Sequence, residues 1–265
     1  MLQIKNLGIN LIKDDRDLLK DFDFALNQGD KVGLIGEEGN GKSILIKTII
    51  NRQEIEGYAQ ISGEIYKKEE IIGYLPQSLD ENFLEMKVET YMDQVLDISL
   101  LDYNKLYRYL DQFGLDEDFV FGKIKLGDLS GGERIKVLLL FELLKEPTVF
   151  LFDEPTNDLD YESASFITKL MKEMKIPLIF VSHDPELLRR VANRIVHLEQ
   201  VHRRQIPRHM VFNGPYDLYI KERENQIRIQ TTRANKEREE FFKKAERYRK
   251  VYDSVNHAIN ATKND

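Results

Sequence analysis

Asp153 and Glu154, two adjacent carboxylates, close the apolar run Val149–Phe152 and are followed at once by a proline and the short polar segment Thr156–Asp158. A carboxylate ending a buried strand can hold a divalent cation. A second one, placed where the backbone leaves the sheet, can orient and polarise an attacking water. Alone, such a pair is most often a solvated turn. It gains meaning from "GEEGNGKS", Gly36–Ser43, which follows the apolar run "KVGLI" and opens the helical pattern "SILIKTII". Gly36, Gly39 and Gly41 permit backbone angles that a side chain forbids, so consecutive N–H groups can face one anion at a helix N-terminus. In that spacing Glu37, Glu38, Asn40 and Ile44 offer backbone amides, Lys42 reaches a β- or γ-phosphate, and the Ser43 hydroxyl ligates Mg²⁺. Asp153 then shares the metal with Ser43, and Glu154 becomes the general base at a γ-phosphate.

The elements that must position these groups are legible as alternation. "KVGLIG", "IIGYLP", "TVFLF", "PLIFVS" and "RIVHLE" read as strands, nearly continuous in hydrophobicity, as strands buried on both faces are. Between them "GKSILIKTII", "SGGERIKVLLLFELLK" and "DYESASFITKLMKEMK" read as helices, the second opening on Ser130 as its N-cap. This is an α/β pattern with helices on each side of a sheet. Residues 78–128 carry spaced Leu, Tyr and Phe without a strand signal and read as a mostly helical insertion. After the turn signal "GPYDLY", Gly214–Tyr219, glycine and proline disappear and charge becomes dense. That reads as one long helix with sparse apolar positions (Ile227, Phe241, Phe242, Tyr248, Val251, Tyr252), too polar to stand alone. The expected division is 1–215 for the α/β domain, with its helical subdomain at about 78–128, and 216–265 for the helix.

Composition narrows the function classes. The 265 residues are 42% hydrophobic, enough for a full core, and include no cysteine. The start "MLQIKNLGINL" lacks the features of a signal peptide, so a cytoplasmic location is expected. Apolar runs fall far short of the ~18 residues a membrane span needs. The net charge of −7 argues against nucleic acid only when taken whole. Residues 221–250 hold 11 Lys/Arg against 6 Asp/Glu, leaving the remainder near −12, so an acidic body carries a basic tail.

Four further pieces give the set a resemblance. "YLPQ" ends in Gln77, "LSGGE" spans Leu129–Glu133, "NDLD" follows the acid pair and ends in Asp160, and "SHD" spans Ser182–Asp184. In this order the chain, from Leu2 to about Gln200, resembles the ATP-binding cassette family. The resemblance implies a P-loop NTPase nucleotide-binding domain that uses ATP and Mg²⁺. It gives Gln77 the sensing of Mg²⁺ and water, His183 the switch at the γ-phosphate, and Asp160 the meeting with an opposing cassette. Ser130, Gly131 and Gly132 resemble the signature that contacts the γ-phosphate of another cassette, which implies two cassettes head to tail with ATP between them. Such cassettes commonly stack adenine on an aromatic residue. Here "NLIKDDRDLL" has none, Ile12 or Lys13 is expected there, and ATP is expected to be only modestly preferred over GTP.

"DEPTNDLD", with "VFNGPYDLYIKER" and a basic helix after it, is similar to the soluble ABC-F class, which acts on ribosomes and carries two cassettes joined by a helical linker. Pro185 stands where the class commonly has arginine after "SHD", and Lys136 where arginine usually follows the signature. The resemblance implies a first cassette with the start of a linker, a second cassette as partner, and rRNA or tRNA as the surface met by the basic helix, in translation or in antibiotic-resistance protection. The competing class is the ATPase subunit of a membrane transporter, which explains the cassette equally well and leaves the basic helix without a purpose.

Overall fold

The computed structural model describes residues 2–201 and 206–262, with side-chain surroundings as far as residue 250. The chain divides into two compact units, Met1–Tyr216 and Asp217–Asp265. The first begins with β1 (Leu2–Leu11) and β2 (Arg16–Leu26), then β3 (Lys31–Ile35), α1 (Lys42–Ile50), the single turn α2 (Arg52–Ile55), β4 (Ala59–Tyr66) and β5 (Ile72–Leu75). The short helices α3 (Glu81–Leu84), α4 (Val88–Val95), α5 (Tyr103–Phe113) and α6 (Asp118–Phe121) lead to α7 (Gly131–Leu144). The unit closes with β6 (Val149–Asp153), α8 (Tyr161–Glu173), β7 (Leu178–Val181), α9 (Pro185–Val191), β8 (Arg194–Val201) and β9 (Ile206–Phe212).

The five strands expected from sequence form the parallel part of a six-stranded sheet, ordered β5-β6-β7-β3-β8-β9, with β9 antiparallel on its edge. Every residue of β6 is buried, the reason its sequence shows no alternation. A second, three-stranded antiparallel sheet, β2-β1-β4, was not expected. Its strands bury alternate residues, but the period breaks between Ile4 and Leu7, where Asn6 sits at φ 49°. One apolar cluster runs from Leu2, Ile4, Leu7 and Ile9 of β1 through Leu45, Ile46 and Ile49 of α1 to Leu151 and Ile179 of the parallel sheet. Each such buried Leu or Ile is worth about 1.5–3 kcal/mol against exposure. The cluster therefore holds α1, and with it the direction in which its N-terminus points.

In residues 78–128 the helices are short, and aspartates start several of the turns. Asp80 accepts from the Asn82 N–H, Asp97 from that of Ser99, and Asp102 from those of Asn104 and Lys105. The buried face of α5, Leu106, Leu110 and Phe113, is anchored where Phe113 meets Phe166 of α8 edge to face at 5.0 Å. Lys136 stands over the same Phe166 ring at 5.2 Å, so its cation helps pack α7 against α8.

In the second unit α10 (Tyr216–Thr262) is one unbroken helix on which Ile227, Phe241, Phe242 and Tyr248 are exposed. The side chains of Val251 and Tyr252 and the expected end at 263–265 lie outside the described residues. Among the described residues no helix is long and apolar enough to cross a membrane.

Candidate functional site

The phosphate loop leaves β3 at Ile35 and becomes helix at Lys42. Gly36 has φ 149°, and a Cβ there would lie 2.3 Å from the Leu198 carbonyl oxygen, so β8 leaves room only for glycine. Gly41 caps α1 in the left-handed region at φ 90°, which turns the first helical N–H groups toward the loop. Lys42 is nearly buried, and its Nζ donates to the carbonyls of Gly36 (2.7 Å) and Glu37 (3.0 Å), which holds the ammonium across the loop. Burial lowers the Lys42 pKa from the ordinary lysine value, against the pull of Glu154, Asp153 and Glu38.

A cavity of about 560 Å³ opens beside this loop. Glu38, Gly39, Gly41, Lys42, Ser43 and Ile44 line it, together with Gln77, Glu154 and His183. Gly36, Glu37 and Asn40 do not line it. The Asn40 amide donates to the Leu198 carbonyl at 3.0 Å and ties the loop to β8.

Asp153, at the buried end of β6, accepts a hydrogen bond from the Ser43 hydroxyl at 3.1 Å, so a carboxylate and a hydroxyl oxygen from two distant segments meet at the helix N-terminus. Two hard oxygen donors suit Mg²⁺, which keeps several waters and takes further ligands from phosphate. Among the described residues no group of three or more His, Cys, Asp or Glu could hold a metal by itself. Burial pushes the Asp153 carboxyl above its ordinary range, with the Ser43 hydroxyl, Lys47 and Lys42 opposing. An additional cation beside it would relieve that cost.

Glu154 sits at φ 50°, its N–H bonded to the Val181 carbonyl and its own carbonyl to the Asn157 N–H, both at 3.1 Å. This tight turn, through Pro155 and Thr156, is the work of the proline and the polar loop. It swings the carboxylate out of the sheet and into the cavity. There the carboxylate accepts the His183 backbone N–H at 3.3 Å and lies 3.5 Å from His183 Nε2. Desolvation raises the Glu154 pKa above the ordinary value, opposed by His183 and Lys42. A left-handed non-glycine residue is strained, and such strain is often kept at functional sites.

Ser130, Gly131, Gly132 and Asp160 do not line this cavity. Ser130 and Glu133 form a reciprocal cap on α7, with the Ser130 N–H donating to Glu133 Oε2 at 2.9 Å and the Glu133 N–H to Ser130 Oγ at 3.3 Å. Asp160 caps α8 by accepting from the Ser163 N–H and hydroxyl, each at 2.9 Å. A Cβ on Gly132 would stand 2.1 Å from Ser163 Oγ, so glycine lets the N-termini of α7 and α8 lie side by side. Ser130, Gly131 and Asp160 are exposed away from the cavity lining, while Gly132 is buried beneath them.

Arg16, Asn157 and Val181 complete the cavity lining; Asn157 lies in the "NDLD" segment quoted from sequence, whereas Arg16 and Val181 were not read as site residues. Neither Ile12, which is 54% exposed, nor Lys13 lines this cavity, whereas Arg16 does. The turn between β1 and β2 is tightened by Asn10, which donates to both Asp15 and Asp17.

A family model described as "ABC transporter" matches residues 19–157. The chain is 30% identical over 225 residues to "ATP-binding protein Uup" of Buchnera aphidicola subsp. Schizaphis graminum, covering 83% of this chain and 35% of that protein. It is 29% identical over 202 residues to "ABC transporter F family member 2" of Arabidopsis thaliana, covering 74% of this chain and 28% of that one. The chain thus spans about a third of the length of these relatives. In fold it is similar to a dimeric cassette solved in a post-hydrolysis state with ADP and phosphate, with a TM-score of 0.61 at 20% identity, covering 81% of this chain and all of that one.

Proposed function

The chain belongs to the ATP-binding cassette family, and from that premise we propose that it is one ATP-hydrolysing cassette of an ABC-F-type protein that acts on the ribosome. The observation that carries the catalytic half is the meeting of Ser43 and Asp153 at 3.1 Å on the edge of a cavity that Glu154 also lines. Lys42 and the amides of the loop hold the triphosphate of ATP. Ser43 and Asp153, with Gln77, would hold Mg²⁺, whose chemistry is to neutralise charge on the β- and γ-oxygens. Glu154 orients a water on the γ-phosphate and takes its proton, and His183 keeps the carboxylate aimed. Both α7 and α8 begin on a surface of their own. The α7 N-terminus, with Ser130, Gly131 and Gly132, is therefore the group we assign to the γ-phosphate of a second cassette, with Asp160 beside it.

The ribosomal half rests on the helix. Basic side chains outnumber acidic ones 11 to 6 over residues 221–250, and Phe241, Phe242 and Tyr248 stand exposed among them. Such a helix can meet rRNA or tRNA phosphates by counterion release and offer rings for stacking. The relative named as an F-family member supports this class. The test is co-sedimentation of the intact gene product carrying Glu154→Gln with ribosomes, with and without ATP, across a salt series. ATP-dependent binding whose logarithm falls linearly with log salt is expected. No binding in any nucleotide condition would favour the transporter ATPase, and a membrane partner would be sought next.

A further inference from the structure

Glu38 has the wrong sign for a loop that cradles polyphosphate. It sits at the corner of the turn that the Asn40 N–H closes on the Glu37 carbonyl at 3.3 Å, and it lines the cavity beside Lys42 and Glu154. The residue is exposed, and among the described residues its carboxylate has neither a hydrogen-bond nor an ion-pair partner. Its charge acts on Lys42, yet the Lys42 ammonium donates to the Gly36 and Glu37 carbonyls instead. A carboxylate without a bonded partner therefore stands where the phosphates of the proposed nucleotide must lie.

The other charges of the lining do not outweigh it. Arg16 and Lys42 are matched by Glu38 and Glu154, and Asp153 adds a third carboxylate through its bond to Ser43. The loop amides attract an anion whatever the side chains do. An uncomplexed nucleoside triphosphate carries roughly four negative charges, and about two once a divalent cation is bound. A fixed carboxylate repels a ligand in proportion to the ligand's charge, and at the rim of a cavity salt screens that repulsion without abolishing it. The repulsion falls hardest on the metal-free form.

We propose that Glu38 is a specificity-determining residue, a charge filter that disfavours uncomplexed polyphosphate and so admits the nucleotide as its divalent-cation complex. This rests on the nucleotide reading of the cavity. The role differs from that of Ser43 and Asp153, which attract the cation, because Glu38 acts against the ligand that lacks one.

The test is equilibrium binding of ATP to the 265-residue chain, to Glu38→Gln and Glu38→Ala, and to Glu173→Gln as a control of equal charge change, each with Mg²⁺ and with a chelator in its place. Glu173 is exposed at the end of α8 and outside the cavity lining. Without Mg²⁺ both Glu38 variants should bind ATP roughly threefold to thirtyfold more tightly than the unaltered chain, the range for removing one unit charge at a partly screened site. With Mg²⁺ the gain should be smaller, and Glu173→Gln should match the unaltered chain in both conditions. Weaker binding of ATP with Mg²⁺ by the Glu38 variants would make the carboxylate a metal contact and overturn the proposal, as would unchanged affinity of both variants in chelator. A gain confined to Glu38→Gln would report a new hydrogen bond from the amide rather than relief of repulsion, and would overturn it too. Failure of the unaltered chain to bind ATP with Mg²⁺ would sink the nucleotide reading itself, a result distinct from any difference among the variants.

Discussion

Replacing Glu154 by Gln is expected to leave ATP binding intact while lowering turnover by about 10²-fold or more, the range of general-base contributions. The substitution keeps the shape of the side chain and an oxygen that can still accept the His183 N–H. The turn that presents it depends on backbone bonds to Val181 and Asn157, which an amide does not disturb. What is lost is the ability to take a proton. Single-turnover hydrolysis and nucleotide affinity, measured on the same preparation, separate the two effects. Turnover near that of the unaltered protein would remove Glu154 from its role.

Lys42→Ala acts on binding instead. Hydrogen bonds to a charged group contribute about 1.5–3 kcal/mol each, so losing the ammonium should weaken ATP by roughly ten- to a hundredfold. The substitution also releases the Gly36 and Glu37 carbonyls that Nζ bridges, which loosens the loop that must present its amides. Titration of ATP against the variant checks this, with a thermal unfolding curve to show that the fold persists. Unchanged affinity would contradict the assignment of the phosphate loop.

The contrast between these residues and Arg16 shows which parts of the site could be read from the chain alone. The phosphate loop is local: eight consecutive residues carry its turn, charge and hydroxyl, and the apolar run before it marks the strand that aims it. Asp153 and Glu154 were readable because β6 is buried on both faces and its uninterrupted apolar stretch ends at the acids. Arg16 reaches the cavity only through tertiary folding and belongs to no spacing pattern, whereas Asn157 lies in the quoted "NDLD" segment but carried no sign there that it would line the cavity. The sheet that carries Arg16 was itself hidden. The irregular register of β1 on its partners, with Asn6 and Gly63 both at positive φ, breaks the period of two by which a half-buried strand is recognised. The glycine pair after Ser130 was legible as a motif, but its packing reason was not. Gly132 is small because Ser163, thirty-one positions on, occupies the space a side chain would need.

That packing bears on the central claim. Ser130 and Gly131 lie at a helix N-terminus outside the cavity that holds Lys42 and Glu154, so on the proposed reading one chain supplies the parts of a catalytic site without closing it. The most direct measurement is the specific ATPase activity of the purified 265-residue chain across a wide range of protein concentration. The account predicts low activity that rises with concentration as two cassettes pair over ATP. High activity independent of concentration would show that a single cassette completes its own site and would contradict it.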